Sequence, residues 1–101
     1  MALTSKQRAY LRGLAQKIDP IFQIGKSGVT PELTDAVTAA LEARELVKLS
    51  VLNNCAIDAA EAADTIGGRT RAEVVQVIGK RFVLYRVSKT KPTIELPKEK
   101  K

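Results

Sequence analysis

A chain of 101 residues with 45% apolar residues is long enough for one domain with its own core and too apolar for disorder, while its longest apolar runs are far too short to cross a bilayer. Histidine is absent and cysteine occurs once, as Cys55, which excludes histidine acid–base catalysis, Ser-His and Cys-His nucleophiles, mixed Cys/His zinc sites and any internal disulfide. The net charge of +6 is segregated: residues 1–30 carry five Lys/Arg and one acid (+4), residues 31–68 two and seven (−5), and residues 69–101 ten and three (+7).

The elements follow in chain order. Thr4 and Gln7 have capping-box spacing, and Tyr10, Leu11, Leu14 and Ile18 recur at helical intervals, so a first helix is predicted over Ser5 to Lys17. Arg8 and Arg12 lie one turn apart on one flank of its apolar stripe, with Lys6 and Lys17 on the other. Asp19-Pro20 stops the helix, because proline disfavours helical geometry in the residue before it. Ile21-Phe22-Gln23-Ile24 is short and β-prone, a first strand. Thr30 suits an N-cap and Pro31 the first helical position. In that second helix Leu33, Ala36, Val37, Ala40 and Leu41 trace an apolar face, with Glu32, Asp35, Glu42 and Glu45 expected on the outside.

Leu46 to Leu52 reads as a second strand, its nearly continuous apolar character suggesting burial on both faces. Ala56 to Ile66 is predicted as a third helix, its alanines allowing close approach to a sheet and Gly67-Gly68 serving as its C-terminal cap. Val74 to Ile78 and Phe82 to Val87 are predicted as strands of a hairpin joined through Gly79-Lys80-Arg81. Thr93 to Leu96 is a candidate docking segment and residues 98–101 an expected mobile basic tail. The order α-β-α-β-α-β-β implies an α/β fold, a single domain with a mixed four-stranded sheet and helices packed on it. No second domain or repeat is visible. The polar Thr4-Ser5-Lys6-Gln7 stands where an export signal would be apolar, so a cytoplasmic protein is expected.

The chemistry-bearing motif is Gly25-Lys26-Ser27-Gly28. Gly-Lys-Ser also ends a nucleotide-binding P-loop, but that loop requires a glycine five residues before Gly25, where Pro20 stands, and its helix begins at the Lys-Ser pair rather than at Thr30-Pro31. The same residues fit Gly-x-x-Gly between a strand and a helix, a loop whose glycines admit a nucleic-acid backbone while Lys26 supplies charge and Ser27 a hydroxyl. The seven acids from Glu32 to Asp64 have the spacing of a solvated helix face rather than of a catalytic pair. Four aromatic residues, Tyr10, Phe22, Phe82 and Tyr85, are too few and too core-like for a base-stacking sheet, so recognition of nucleic-acid backbone and shape is expected.

"LRGLAQKIDPIFQIGKSGVTPEL", "ARELVKLSVL" and "VVQVIGKRFVLYR", in this order and spacing, resemble the CRM domain, the chloroplast RNA splicing and ribosome maturation family, in its stand-alone bacterial YhbY-like form, over residues 1–97. The resemblance implies an RNA-binding α/β fold similar to the C-terminal domain of a bacterial translation initiation factor. It implies that Gly25, Lys26, Ser27 and Gly28 lie on the RNA surface and that the partner is ribosomal RNA in large-subunit precursors. From charge alone, Arg8, Arg12 and Lys17 of the first helix and Lys80, Arg81 and Arg86 of the hairpin extend the candidate surface. For Arg86 the rival is a structural ion pair; Arg69 and Arg71 are weaker candidates. No cofactor, metal, membrane or small-molecule substrate is expected, and no catalysis. The alternative is an adaptor that recruits a basic ribosomal protein through Glu32, Asp35 and Glu42.

Overall fold

A computed structural model describes residues 3–55, 57–90, 92 and 94. Its elements are α1 (Ser5–Ala15), β1 (Phe22–Ile24), α2 (Pro31–Arg44), β2 (Leu46–Val51), α3 (Ala59–Thr70), β3 (Glu73–Ile78) and β4 (Arg81–Tyr85), the order expected. The Thr4 hydroxyl accepts from the Gln7 amide and the Gln7 side chain from the Thr4 amide, both at 3.1 Å, closing the capping box. α1 ends two residues earlier than predicted, because Lys17 and Ile18 donate to Leu14 and Ala15 in tighter three-residue turns. Thr30 caps α2 by accepting from the Leu33 amide (3.1 Å), with Pro31 at the first position.

The third helix departs most from expectation. It starts after an Asp58 cap and runs through Gly67 and Gly68 to Thr70, with Arg71 as its left-handed C-cap (φ 59°). Gly67 therefore serves packing rather than capping: a Cβ there would meet the Ala72 carbonyl at 3.3 Å and a Val74 methyl at 3.4 Å.

The sheet order is β1-β2-β4-β3, with β1 parallel to β2 and β4 antiparallel to both β2 and β3. Hence β1, β2 and β3 point the same way, and β4 alone runs back. α2 and α3 cover one face, where Val47, Leu49 and Val51 alternate inward beside Ile24, Phe82 and Leu84. α1 covers part of the other, packing Leu11 and Ala15 on Leu46, Val75, Val83 and Tyr85. Ile94 joins that second cluster; Thr93, Glu95, Leu96 and the tail expected at 98–101 lie outside the described residues.

β2 is not buried on both faces. Lys48 and Ser50 alternate onto the α1 side, beyond the helix, and are only half-buried. β4 stops at Tyr85 rather than Val87: the Arg86 amide still donates in register to the Glu45 carbonyl (3.0 Å), but Glu45, at φ 67°, has left the extended conformation.

Candidate nucleic-acid interface

The strand directions bring three connections to one end of the sheet: Gly25 to Thr30 after β1, Leu52 to Asp58 after β2, and the Gly79-Lys80 turn between β3 and β4. Backbone bonds tie them together. Leu52 donates to the Ile24 carbonyl (2.8 Å) and Val51 to the Lys80 carbonyl (2.7 Å). The Gly28 amide closes the four-residue turn on the Gly25 carbonyl (2.9 Å), with Gly28 at φ 68°, a conformation that favours glycine. Lys26 and Ser27 stand exposed at its tip. Gly79, at φ 56°, likewise opens the tight hairpin turn that presents Lys80.

α2 and α3 both begin at this end, so their N-terminal partial positive charge faces it. The carboxylate of Asp58 already neutralises α3 by accepting from the Glu61 amide (2.8 Å), whereas α2 is capped by the neutral Thr30 hydroxyl. The start of α2 carries its acid, Glu32, exposed in the first turn rather than at the cap. In open α/β sheets the carboxyl ends of the strands are the usual ligand edge.

The uncovered half of the α1 face continues this end. The pairing aligns Lys48, Val83 and Gln76 in one row across the strands, and Gln23, Ser50, Arg81 and Ile78 in the next. α1 covers Val83 in the first row and stops before the second. Lys17 and Lys48 line a cleft of about 640 Å³ beside the Asp19–Ile21 turn, and Lys48 and Arg81 line a second of about 170 Å³ beside Gln16. Lys17, Lys48 and Arg81 thus border two clefts that meet at Lys48. Among the described residues, no group of three His, Cys, Asp or Glu side chains converges as a metal site requires.

Of the ten residues expected at the surface, Gly25, Lys26, Ser27, Gly28, Lys80 and Arg81 share the loop end, Lys17 is exposed beside Arg44 and Leu46 at the start of β2, and Arg12 is exposed midway along α1. Two are corrected. Arg8 donates to the Val74 carbonyl near the start of β3, which fixes α1 to the sheet at its far end. Arg86 lies at that far end too, because β4 runs away from the loops. It donates to the Thr70 carbonyl (3.1 Å), among the open carbonyls that end α3, and to Glu42 (3.2 Å). The structural acid is its partner. Arg69 and Arg71, at the same helix end, are also removed from the loops.

The acids expected on the outside of α2 divide. Glu32 and Asp35 are exposed, but Glu45 is fully buried, and its carboxylate accepts from the amides of Ser88 and Ile94, both at 2.7 Å. Glu42 accepts from the Ser88 and Thr90 hydroxyls, both at 2.8 Å, and from the Lys89 and Thr90 amides. The Ser88 and Thr90 hydroxyls, followed by the Lys89 amide, bring its carboxyl down to about 2 from an ordinary 4.5. Burial raises the Tyr85 phenol above its ordinary 10.0, with the nearby Glu45 charge adding to it.

Sequence reasoning missed Lys48 and Ser50. Their signal was present: two polar residues at alternate positions of an otherwise apolar strand mark one open face.

Residues 3–86 match the family model described as the CRS1 / YhbY (CRM) domain. The chain belongs to the CRM domain family. The chain is similar to "Probable RNA-binding protein YqeI" of Bacillus subtilis, 46% identical over 94% of this chain and 99% of that one. It is also similar to "RNA-binding protein" of Haemophilus influenzae, 33% identical over 96% and 97%. The solution structure of hypothetical protein SAV1595 from Staphylococcus aureus superposes with a TM-score of 0.79 at 51% identity, covering 95% of this chain and all of that one. The CRM α/β architecture is thus shared, with the Gly25–Gly28 turn, the hairpin tip and the open sheet face within the matched span.

Proposed function

We propose that this CRM domain binds ribosomal RNA by its phosphate backbone, without catalysis, and acts in the cytoplasm during assembly of the large ribosomal subunit. The observation that carries the reading is the convergence of Lys26 and Lys80 on backbone-linked loops at the strand ends, beside the start of α2 and a sheet face carrying Lys48 and Arg81. Relatives along the whole chain are named RNA-binding proteins, and residues 1–97 act as one binding unit. Gly25, Lys26, Ser27 and Gly28 form the clamp; Lys80, Arg81, Lys48, Lys17 and Arg12 extend it. Recruitment of a basic protein by α2 is disfavoured, since Glu42 is engaged by residues 86–90 of the same chain.

Five neutralised phosphates on a single strand give a log–log salt slope of about −3.5, so a fourfold rise in salt weakens binding by about a hundredfold. Crosslinking to RNA in cells followed by sequencing tests the role, with Lys26→Glu in parallel. Enrichment of precursor large-subunit RNA that collapses in the variant is expected. Scattered messenger and transfer RNA would reject the assembly role, and no crosslink above background would reject RNA binding altogether.

A further inference from the structure

The cleft of about 170 Å³ beyond the end of α1 differs in chemistry from the loops around it. Its walls are Ala15 and Gln16 at the end of α1 and Lys48, Gln76, Ile78 and Arg81 on the sheet, two cations and two carboxamides with no acid. Ile78 is 63% exposed, a large apolar side chain left open on the sheet beside the cleft. Among the described residues, no partner engages the Gln76 carboxamide. The β-bulge between Val74 and Gln76 aligns Gln76 with Val83 and Lys48, on the open side of the sheet.

A space of this size is below the roughly 300–1,000 Å³ of drug-sized ligand sites and suits one flat ring system. Its edges suit a particular ring. Glutamine pairs bidentately with adenine N6 and N7, and arginine or lysine with guanine O6 and N7, so each polar side chain here is of a type that reads the N7 edge of a purine. Ile78 supplies open apolar surface for the ring, and Lys48 and Arg81 supply charge for the phosphates on either side of the base.

We propose that this cleft seats one unpaired purine base of a single-stranded RNA whose backbone is held at the loops, giving the protein a sequence preference that charge alone does not supply. The inference rests on the RNA-binding reading above. It differs from backbone recognition in that it makes affinity depend on base identity at one position.

The test compares binding of ten-nucleotide oligo(U) with the same RNA carrying one central adenine or guanine, so that the phosphate contribution is constant. The purine strands are expected to bind about tenfold tighter. Gln76→Ala should bring them down to the oligo(U) value, and Gln76→Glu, which keeps the shape and removes the donor, should do the same for guanine and adenine; thermal unfolding verifies that both variants fold. Lys26→Glu should weaken all three RNAs alike and preserve their ratio. Equal wild-type affinities, or a purine gain that survives in folded Gln76→Ala, overturn the base site while leaving the backbone reading intact. Binding to none of the RNAs overturns both.

Discussion

The two ends of the sheet use charge in opposite ways. At the loop end, Lys26 and Lys80 stand at the tips of turns whose own hydrogen bonds are backbone to backbone, and no described residue pairs with their charges. At the far end, Arg8, Arg86, Glu42 and Glu45 are bound into it: Arg86 joins the ends of α2 and α3, and the two glutamates hold Ser88, Lys89, Thr90 and Ile94. Charges of the same types thus serve a surface at one end and cohesion at the other. The distinguishing mark is whether the chain satisfies them. Substitutions should separate along this line, into those that change stability and those that change binding.

Glu45 should give the largest effect. It sits at φ 67°, a strained conformation for a residue with a side chain, and its two carboxylate oxygens each accept a backbone amide. Glu45→Gln places an amide group against one of those donors and removes the charge from the other bond, for a loss of about 2–4 kcal/mol. Arg86→Ala, at a site with more access to water, should cost about 1–2 kcal/mol. Urea denaturation measures both. RNA affinity at a temperature where each variant is folded should stay at the wild-type value; a fall in affinity without a fall in stability would erase the contrast between the ends.

The reciprocal variants are Lys26→Ala and Lys80→Ala. Each should leave stability within about 0.5 kcal/mol of wild type, as exposed substitutions do. Each should also flatten the salt slope of RNA binding by about 0.7, the share of one phosphate on a single strand. Arg86→Ala should not alter the slope. A slope unchanged in Lys80→Ala would restrict the interface to the Gly25–Gly28 turn.

The glycines of that turn sharpen the same division. Gly28 is at φ 68°, where a Cβ is strained, so Gly28→Ala should cost about 1–2 kcal/mol. A Cβ at Gly25 would meet only Leu52 and Asn54 at 3.6 and 3.8 Å, ordinary contacts, so Gly25→Ala should fold normally. Any loss of RNA affinity in Gly25→Ala then reports approach of the RNA backbone rather than damage to the turn. Comparing unfolding and binding for the pair tests this directly.

Much of this architecture was legible locally. Thr4 with Gln7, Thr30 with Pro31, and Gly79 each set a boundary through bonds or dihedral angles within a few residues, and the structure has them as read. What escaped was non-local. Glu45 has the spacing of an outward residue, and only the return of the chain after β4, more than forty residues later, surrounds it with donors. Gly67 looks like a cap until Ala72 and Val74 are seen packed against it. In the candidate site, the motif and hairpin residues were legible because turn chemistry places them. Arg8 and Arg86 were not, because charge alone does not reveal which end of a strand or helix faces the loops.

The finest probe of the far end is pH. The Glu42 carboxyl is held down to about 2, against an ordinary 4.5, by the Ser88 and Thr90 hydroxyls and the Lys89 amide. A group whose pKa is depressed by folding stabilises the fold above its unfolded value, and that contribution disappears as pH falls through the folded one. The window here is therefore from about 4.5 down to about 2. Glu42 is half-buried at the surface, so the effect is modest and shrinks further with added salt. Wild type should exceed Glu42→Gln in stability by a constant amount above pH 4.5, with the difference closing as pH falls toward 2. A difference that persists at the acid limit would mean that the shape of Glu42, rather than its charge, holds residues 88–90, and the far end would then depend on Glu45 as its charged anchor for this segment.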